Sequence, residues 1–392
     1  MDSRLVPAIF ALLLISSAAA MLLFGPKGAQ NEDLRMEKVL ECKNGTVREK
    51  ELCFDLFMQR KIEVNATKEL MAELASVMEK SEEMELSCHE VAHSIGRVSM
   101  LQPGKSLADV FSECTQTCHS GCYHGAMQAF FLKETMPDAD VYELRDEHVS
   151  LSDLQRVVNR TCAELENKGA KWFQCLHGMG HAIQFSLENN LTMALGVCDM
   201  LATDFERNSC YGGAIMENLV SEDRETRQIK HGDPQYPCSG LEEKYKYQCY
   251  MMQPSVMMEI FDYDASKVVE SCKDAGAYVG TCYLGLGRDL SDDFRVDKGT
   301  AYDIIGEIPE TYRMDYVSGL VYALADNTWD GRYAFPFCSG LDEELKGGCY
   351  STAINYLNTG LFVSMEEIES SCRAYSPEVQ FCISRIPGRE SL

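Results

Sequence analysis

The chain reads as an all-α protein of helical-hairpin repeats about 34 residues long, an α-solenoid stapled by disulfides behind an N-terminal transmembrane segment. Three observations predict the repeats. Cysteines recur in close pairs at a near-constant interval, apolar residues on both sides of those pairs fall at helical spacing, and helix-capping residues stand where the pattern begins.

Leu5 to Phe24 carries no charge, is preceded by Arg4 and followed by Gly25, Pro26 and Lys27, and is long enough to cross a bilayer. Small residues from Ser16 to Ala20 resemble a signal-peptidase site. The apolar run nevertheless continues through Met21 to Phe24, so residues 1–25 are expected to be an uncleaved anchor in preference to a removed signal peptide. Residues 26–60 are then a linker and N-terminal disulfide segment, 61–190 a His-rich helical region, and 191–392 the helical-hairpin repeats.

Seven pairs have 9 to 12 residues between partners: Cys42 with Cys53, Cys162 with Cys175, Cys198 with Cys210, Cys238 with Cys249, Cys272 with Cys282, Cys338 with Cys349, and Cys372 with Cys382. From Cys175 onward the second members stand at 175, 210, 249, 282, 349 and 382, steps of 33 to 39 with one doubled step of 67. Inside the doubled step, Tyr316-Val-Ser-Gly keeps the pattern without a cysteine, so one unit lacks its bridge. Cys238-Ser-Gly-Leu and Cys338-Ser-Gly-Leu lie 100 residues apart, three periods. Leu191, Ala194, Leu195 and Cys198 follow Asn190 as a cap, and Ser364 with Glu367 forms a capping box. Ala214, Ile215, Met216 and Leu219 continue as a second helix after Cys210. Each bridge is expected to join the end of one helix to the start of the next, contributing about 3 kcal/mol in the chain-entropy account. The period and hairpin layout resemble tetratricopeptide-type repeats over residues 150–390. The Trp-Leu-Gly-Tyr signature of that family is absent, so the likeness concerns architecture and implies no function.

With 36 Lys+Arg against 61 Asp+Glu the net charge is −25, which removes the basic footprint that a nucleic-acid partner requires. At 45% hydrophobic residues the chain is not disordered. Eighteen cysteines fit an oxidising compartment. With the anchor and four Asn-x-Ser/Thr sequons (Asn44, Asn65, Asn159, Asn190), the body is expected on the extracytoplasmic face of a membrane, or secreted if the segment is cleaved.

Seven of the eight histidines fall before residue 182. His89 and His93 are four apart, as are His177 and His181, which places each pair on one helix face as joint metal ligands. His124 in Cys122-Tyr-His-Gly matches His177 in Cys175-Leu-His-Gly, with Gln128 in place of His181. Equivalent faces of neighbouring units would thus bring five imidazoles together, in a site expected to take a transition metal. Zinc is the first choice, copper and iron remain open, and one or two ions could be held. Gly178 and Gly180 imply that a neighbouring helix or a ligand approaches closely. The stretch His89-Glu90-Val91-Ala92-His93 also resembles the H-E-x-x-H motif of zincins. That resemblance implies His89 and His93 as ligands and Glu90 as general base of a metal-dependent hydrolase. No third-ligand pattern follows, and Gly178 stands where a second copy would need Glu. A redox enzyme at the same metal is a further variant.

Cys88, Cys114, Cys118 and Cys122 remain. The simplest pairing is Cys114 with Cys122 in the repeat manner and Cys88 with Cys118 across units, with thiolate ligation as the alternative. Haem attachment at Cys114-Thr-Gln-Thr-Cys118-His119 departs from C-x-x-C-H and is disfavoured. Asp289, Asp292, Asp293 and Asp297 read as a solvated connection between units, and Asp326 to Gly331 as a turn, since Phe337 stands where a calcium loop needs Glu. Beyond the membrane, the expected partner is a protein or peptide in the solenoid groove, which would make the molecule an interaction scaffold if the histidines merely pack.

Overall fold

The computed structural model describes residues 34–135, 151–220, 226–296 and 298–389, and among these the chain is helical with no strand. The segment Leu5–Phe24 lies outside the described residues. Among those described, no helix is long and apolar enough to cross a membrane.

A 3-10 turn, Met36–Lys43, precedes α1 (Val47–Ile62) and α2 (Thr67–Met78). A long helix then alternates with short ones: α3 (Glu82–Leu101), α4 (Leu107–Glu113), α5 (Gly121–Thr135), α6 (Leu151–Thr161), α7 (Ala170–Ser186), α8 (Leu191–Cys198) and α9 (Asp204–Val220). The series continues with α10 (Glu243–Ile260), α11 (Ala265–Cys272), α12 (Val279–Val296), α13 (Lys298–Asp303), α14 (Arg313–Asp326), α15 (Ala334–Ser339), α16 (Glu343–Asn355), α17 (Met365–Tyr375) and α18 (Val379–Ser384). The caps expected from sequence are present: Asn190 accepts from the Met193 amide, and Ser364 with Glu367 closes a capping box.

The long helices pack in chain order, α3 on α5, then α7, α9, α10, α12, α14 and α16. Three of these crossings are built on reciprocal glycines. A β-carbon on Gly96 would stand 1.9 Å from Cys122 O, and one on Gly125 would stand 1.9 Å from His93 O. Gly180 and Gly213 repeat the arrangement between α7 and α9 against Cys210 O and His177 O, as do Gly287 and Gly319 between α12 and α14 against Tyr316 O and Leu284 O. Backbone meets backbone at these points, so any side chain would hold the helices apart. A helix therefore accounts for the close approach at Gly180, and at Gly178 the side chain of Met127 fills the space.

The row also winds back on itself. Arg295 at the end of α12 reaches Glu85 at the start of α3 (2.8 Å), and the Phe362 ring stands 3.2 Å from where a Gly169 β-carbon would be. Each contact joins a long helix, or the segment beside it, to the one five places further along the row.

Eight disulfides staple the described residues. The seven expected pairs are all present: Cys42 to Cys53, Cys162 to Cys175, Cys198 to Cys210, Cys238 to Cys249, Cys272 to Cys282, Cys338 to Cys349, and Cys372 to Cys382. Cys114 is bridged to Cys122 as the eighth, and the Cα–Cα distances of the set run from 5.4 to 5.8 Å. The position of the second cysteine differs from expectation in part. In five units it sits well inside its helix, as Cys53 does in α1, Cys175 in α7, Cys210 in α9, Cys249 in α10 and Cys349 in α16, whereas Cys122, Cys282 and Cys382 stand in the first turn as expected. In those five the bridge clamps the preceding segment against the flank of the helix, where Cys349 is buried while Cys53 is exposed. In the unit without a bridge, the buried Tyr316 hydroxyl donates to Ala301 O (2.9 Å), tying α14 back to α13. Tyr283 and Tyr123 make the same kind of tie to Val269 O and Cys114 O beside their disulfides.

Two further expectations are corrected. Cys88 and Cys118 are buried free thiols, not a bridge, and the Cys118 thiol lies against Met78 Sδ (3.0 Å). Asp289, Asp292 and Asp293 do not form a connecting loop but lie within α12; Leu286, Leu290 and Phe294, four apart and buried, carry the helix through the acidic run. Asp297 is outside the described residues. The stretch from Asp326 turns as expected, with Arg332 clasping Asp330.

Candidate metal centre

His89 and His93 lie on α3, His124 on α5, and His177 with His181 on α7. Helical spacing sets each pair on one face, with ring centroids 4.9 Å apart for His89 and His93 and 5.0 Å apart for His177 and His181. The glycine crossings bring the faces together. Gly125, the neighbour of His124, sits on His93 O, and so draws the His124 ring to 5.7 Å from His89 and 5.6 Å from His93. On its other side His124 lies 5.4 Å from His177 and 5.1 Å from His181. It is the hub of a five-imidazole cluster. One nitrogen each from His89, His93 and His124 all lie within 4.8 Å of one another, a group able to hold a metal ion.

Hydrogen bonds around the rim orient the rings. His89 Nδ1 donates to Cys118 O (2.9 Å), and His181 Nδ1 donates to Glu217 Oε2 (2.8 Å). His177 hydrogen-bonds the Ser209 backbone, with Gly212 against its Nδ1 edge. Carbonyl and carboxylate partners of this kind fix a metal-binding imidazole and raise its basicity. The Nε2 atoms of His177 and His181 are left facing each other at 3.3 Å. Two nitrogens on a tetrahedral ion with bonds of about 2.0–2.1 Å are separated by about 3.3 Å, so this pair already has the edge length of such a site. His124 Nε2 donates to Gln174 Oε1 (3.2 Å), and its Nδ1 is buried with no partner among the described residues.

Burial, then the neighbouring imidazoles, hold His93, His124 and His177 neutral. His93 and His124 are pushed well below the ordinary imidazole range, and His177 down to about 3. For His93 the Arg97 guanidinium adds to the effect. Arg97 is itself fixed in a buried ion pair with Asp55 (2.7 Å) and donates to Gln128 Oε1 (2.9 Å). A neutral imidazole with an open lone pair is the form that ligates a metal.

Glu90, the general base that the motif implies, lies on α3 between His89 and His93. Its carboxylate pairs with Lys50 of α1 (3.1 Å). Glu217 brings a carboxylate to a cluster imidazole, His181, and sequence reasoning missed it together with Gln174. Glu217 had a signal, since it follows His181 by 36 residues, about one repeat. Cys114 is bridged to Cys122 and so is closed to haem attachment. The Cys118 thiol, buried and beside Cys88, is held far above the ordinary thiol range. It is no free nucleophile. The approach of His89 to His124 comes from the α3–α5 crossing and needs no bridge between Cys88 and Cys118.

No family model, curated protein or solved structure matches the chain.

Proposed function

We propose that this protein is an exported α-solenoid that holds a transition-metal ion in the cluster of His89, His93, His124, His177 and His181, tethered to a membrane through Leu5–Phe24. The observation that carries the reading is His124. An acceptor nitrogen buried without a partner costs about 1–3 kcal/mol, and His124 Nδ1 is such an atom in the midst of four other imidazoles. A cation bound among the rings would satisfy it and the opposed Nε2 atoms of His177 and His181 together. Imidazole donors suit zinc, copper and iron, and zinc is the first to test. We read the site as binding and not hydrolytic, because Glu90 is occupied by Lys50.

The test is the metal content of the exported body after dialysis against zinc, copper and iron in turn. Near-stoichiometric metal is expected in the wild type. It should be lost in a variant with His89, His93 and His124 changed to Ala. A wild type that retains none of the three metals defeats the proposal.

A further inference from the structure

Sixteen of the eighteen cysteines form the eight disulfides, while Cys88 and Cys118 stay reduced, and both are buried. They are not isolated from each other. The Cys88 thiol lies in hydrogen-bonding contact with Cys118, and the Cys118 thiol stands 3.0 Å from the thioether of Met78. Three sulfurs from three places, the end of α2, the middle of α3 and the segment before α5, thus meet. The backbone is forced to deliver one of them. Cys118, His119 and Ser120 have φ of 62°, 51° and 62°, three consecutive side-chain-bearing residues in the left-handed region. Such a backbone persists where the surroundings hold it. Here the turn sets the Cys118 thiol on Met78 and the Cys118 carbonyl on His89.

We infer that Met78, Cys88 and Cys118 form a soft-metal site for monovalent copper, separate from the imidazole cluster. The third donor decides the metal, since a thioether beside two thiolates is a donor set for Cu(I), whereas zinc prefers thiolate, imidazole or carboxylate. Binding is a ligand exchange. Cu(I) forms bonds to both thiol sulfurs, their two protons leave to solvent, and no electron is transferred.

The experiment titrates the full exported chain with the Cu(I) acetonitrile complex under nitrogen, so that no reductant reaches the disulfides, with bicinchoninate as competitor. One Cu(I) per chain is expected, held against the chelator. Two thiols should be alkylated by iodoacetamide in the denatured copper-free chain. Cys88→Ser and Cys118→Ser should abolish retention, and the milder Met78→Leu should weaken it by about tenfold or more. Replacing all five cluster histidines by Ala should leave it intact, which separates this site from the imidazole centre. The inference is overturned if the denatured chain shows no alkylatable thiol, meaning a ninth disulfide, or if Met78→Leu and both serine variants bind Cu(I) as the wild type does.

Discussion

Gly125→Ala adds one methyl group at the point where α5 rests on α3. That β-carbon would stand 1.9 Å from His93 O, a backbone atom that no rotamer change can move. Non-bonded heavy atoms settle at about 3.5 Å, so the two helices must part by about 1.5 Å. Overpacking on this scale costs about 3 kcal/mol, and the better helix propensity of Ala returns about 1 kcal/mol. A net loss of about 2 kcal/mol is expected, measured as a lower urea midpoint for the metal-free protein. The same displacement acts on the cluster, because His124 adjoins Gly125 and His93 supplies the carbonyl. Metal–imidazole bonds tolerate only a few tenths of an ångström around about 2.0–2.1 Å, so zinc affinity should fall by about tenfold or more in a chelator competition. Unchanged stability together with unchanged affinity would refute the claim that this crossing sets the site.

Gly196→Ala is the matching control: Gly196 lies inside α8 with nothing within 4 Å of an added β-carbon, so it should stabilise by about 0.5–1 kcal/mol, read as a higher Tm. Tyr316→Phe removes the tie to Ala301 O in the unit without a disulfide and should cost about 1–2 kcal/mol by urea denaturation. Tyr283→Phe, whose unit keeps the bridge from Cys272 to Cys282, should cost no more than this. Acid should destabilise the metal-free protein, because His124 and His177 are held neutral while unfolded histidine protonates at about pH 6.5. Below that pH, and down to about 3 for His177, the unfolded chain binds more protons, so stability falls by up to about 1.4 kcal/mol per pH unit for each. Urea midpoints that stay level from pH 7 to 5 in the presence of EDTA would contradict this.

Local features were the legible ones. Disulfide partners stand 8 to 13 apart in sequence, so spacing alone identified them, and the caps at Asn190 and Ser364 are read from neighbouring residues. Where Cys53 and Cys349 fall along their helices was less legible, because those helices begin at Val47 and Glu343, well ahead of the cysteines. The i,i+4 histidine pairs were visible for the same reason as the disulfides. What joins the pairs was not, because it depends on which helix faces meet: Gly96 against Gly125 is a tertiary fact. The thiols of Cys88 and Cys118 follow no repeat spacing, and their state depends on where Met78 and the left-handed turn place them. The acidic run at Asp289 disguises a helix, since its charges lie between Leu286, Leu290 and Phe294, whose four-residue spacing is the stronger signal. The return contact of Arg295 on Glu85 spans 210 residues and has no counterpart in any local pattern.

X-ray absorption at the zinc edge of the metal-loaded protein tests the central claim most directly. A first shell of nitrogen at about 2.0 Å with the outer-shell scattering of three or more imidazoles is the result the cluster predicts. A shell of sulfur, or of oxygen without imidazole scattering, would contradict it.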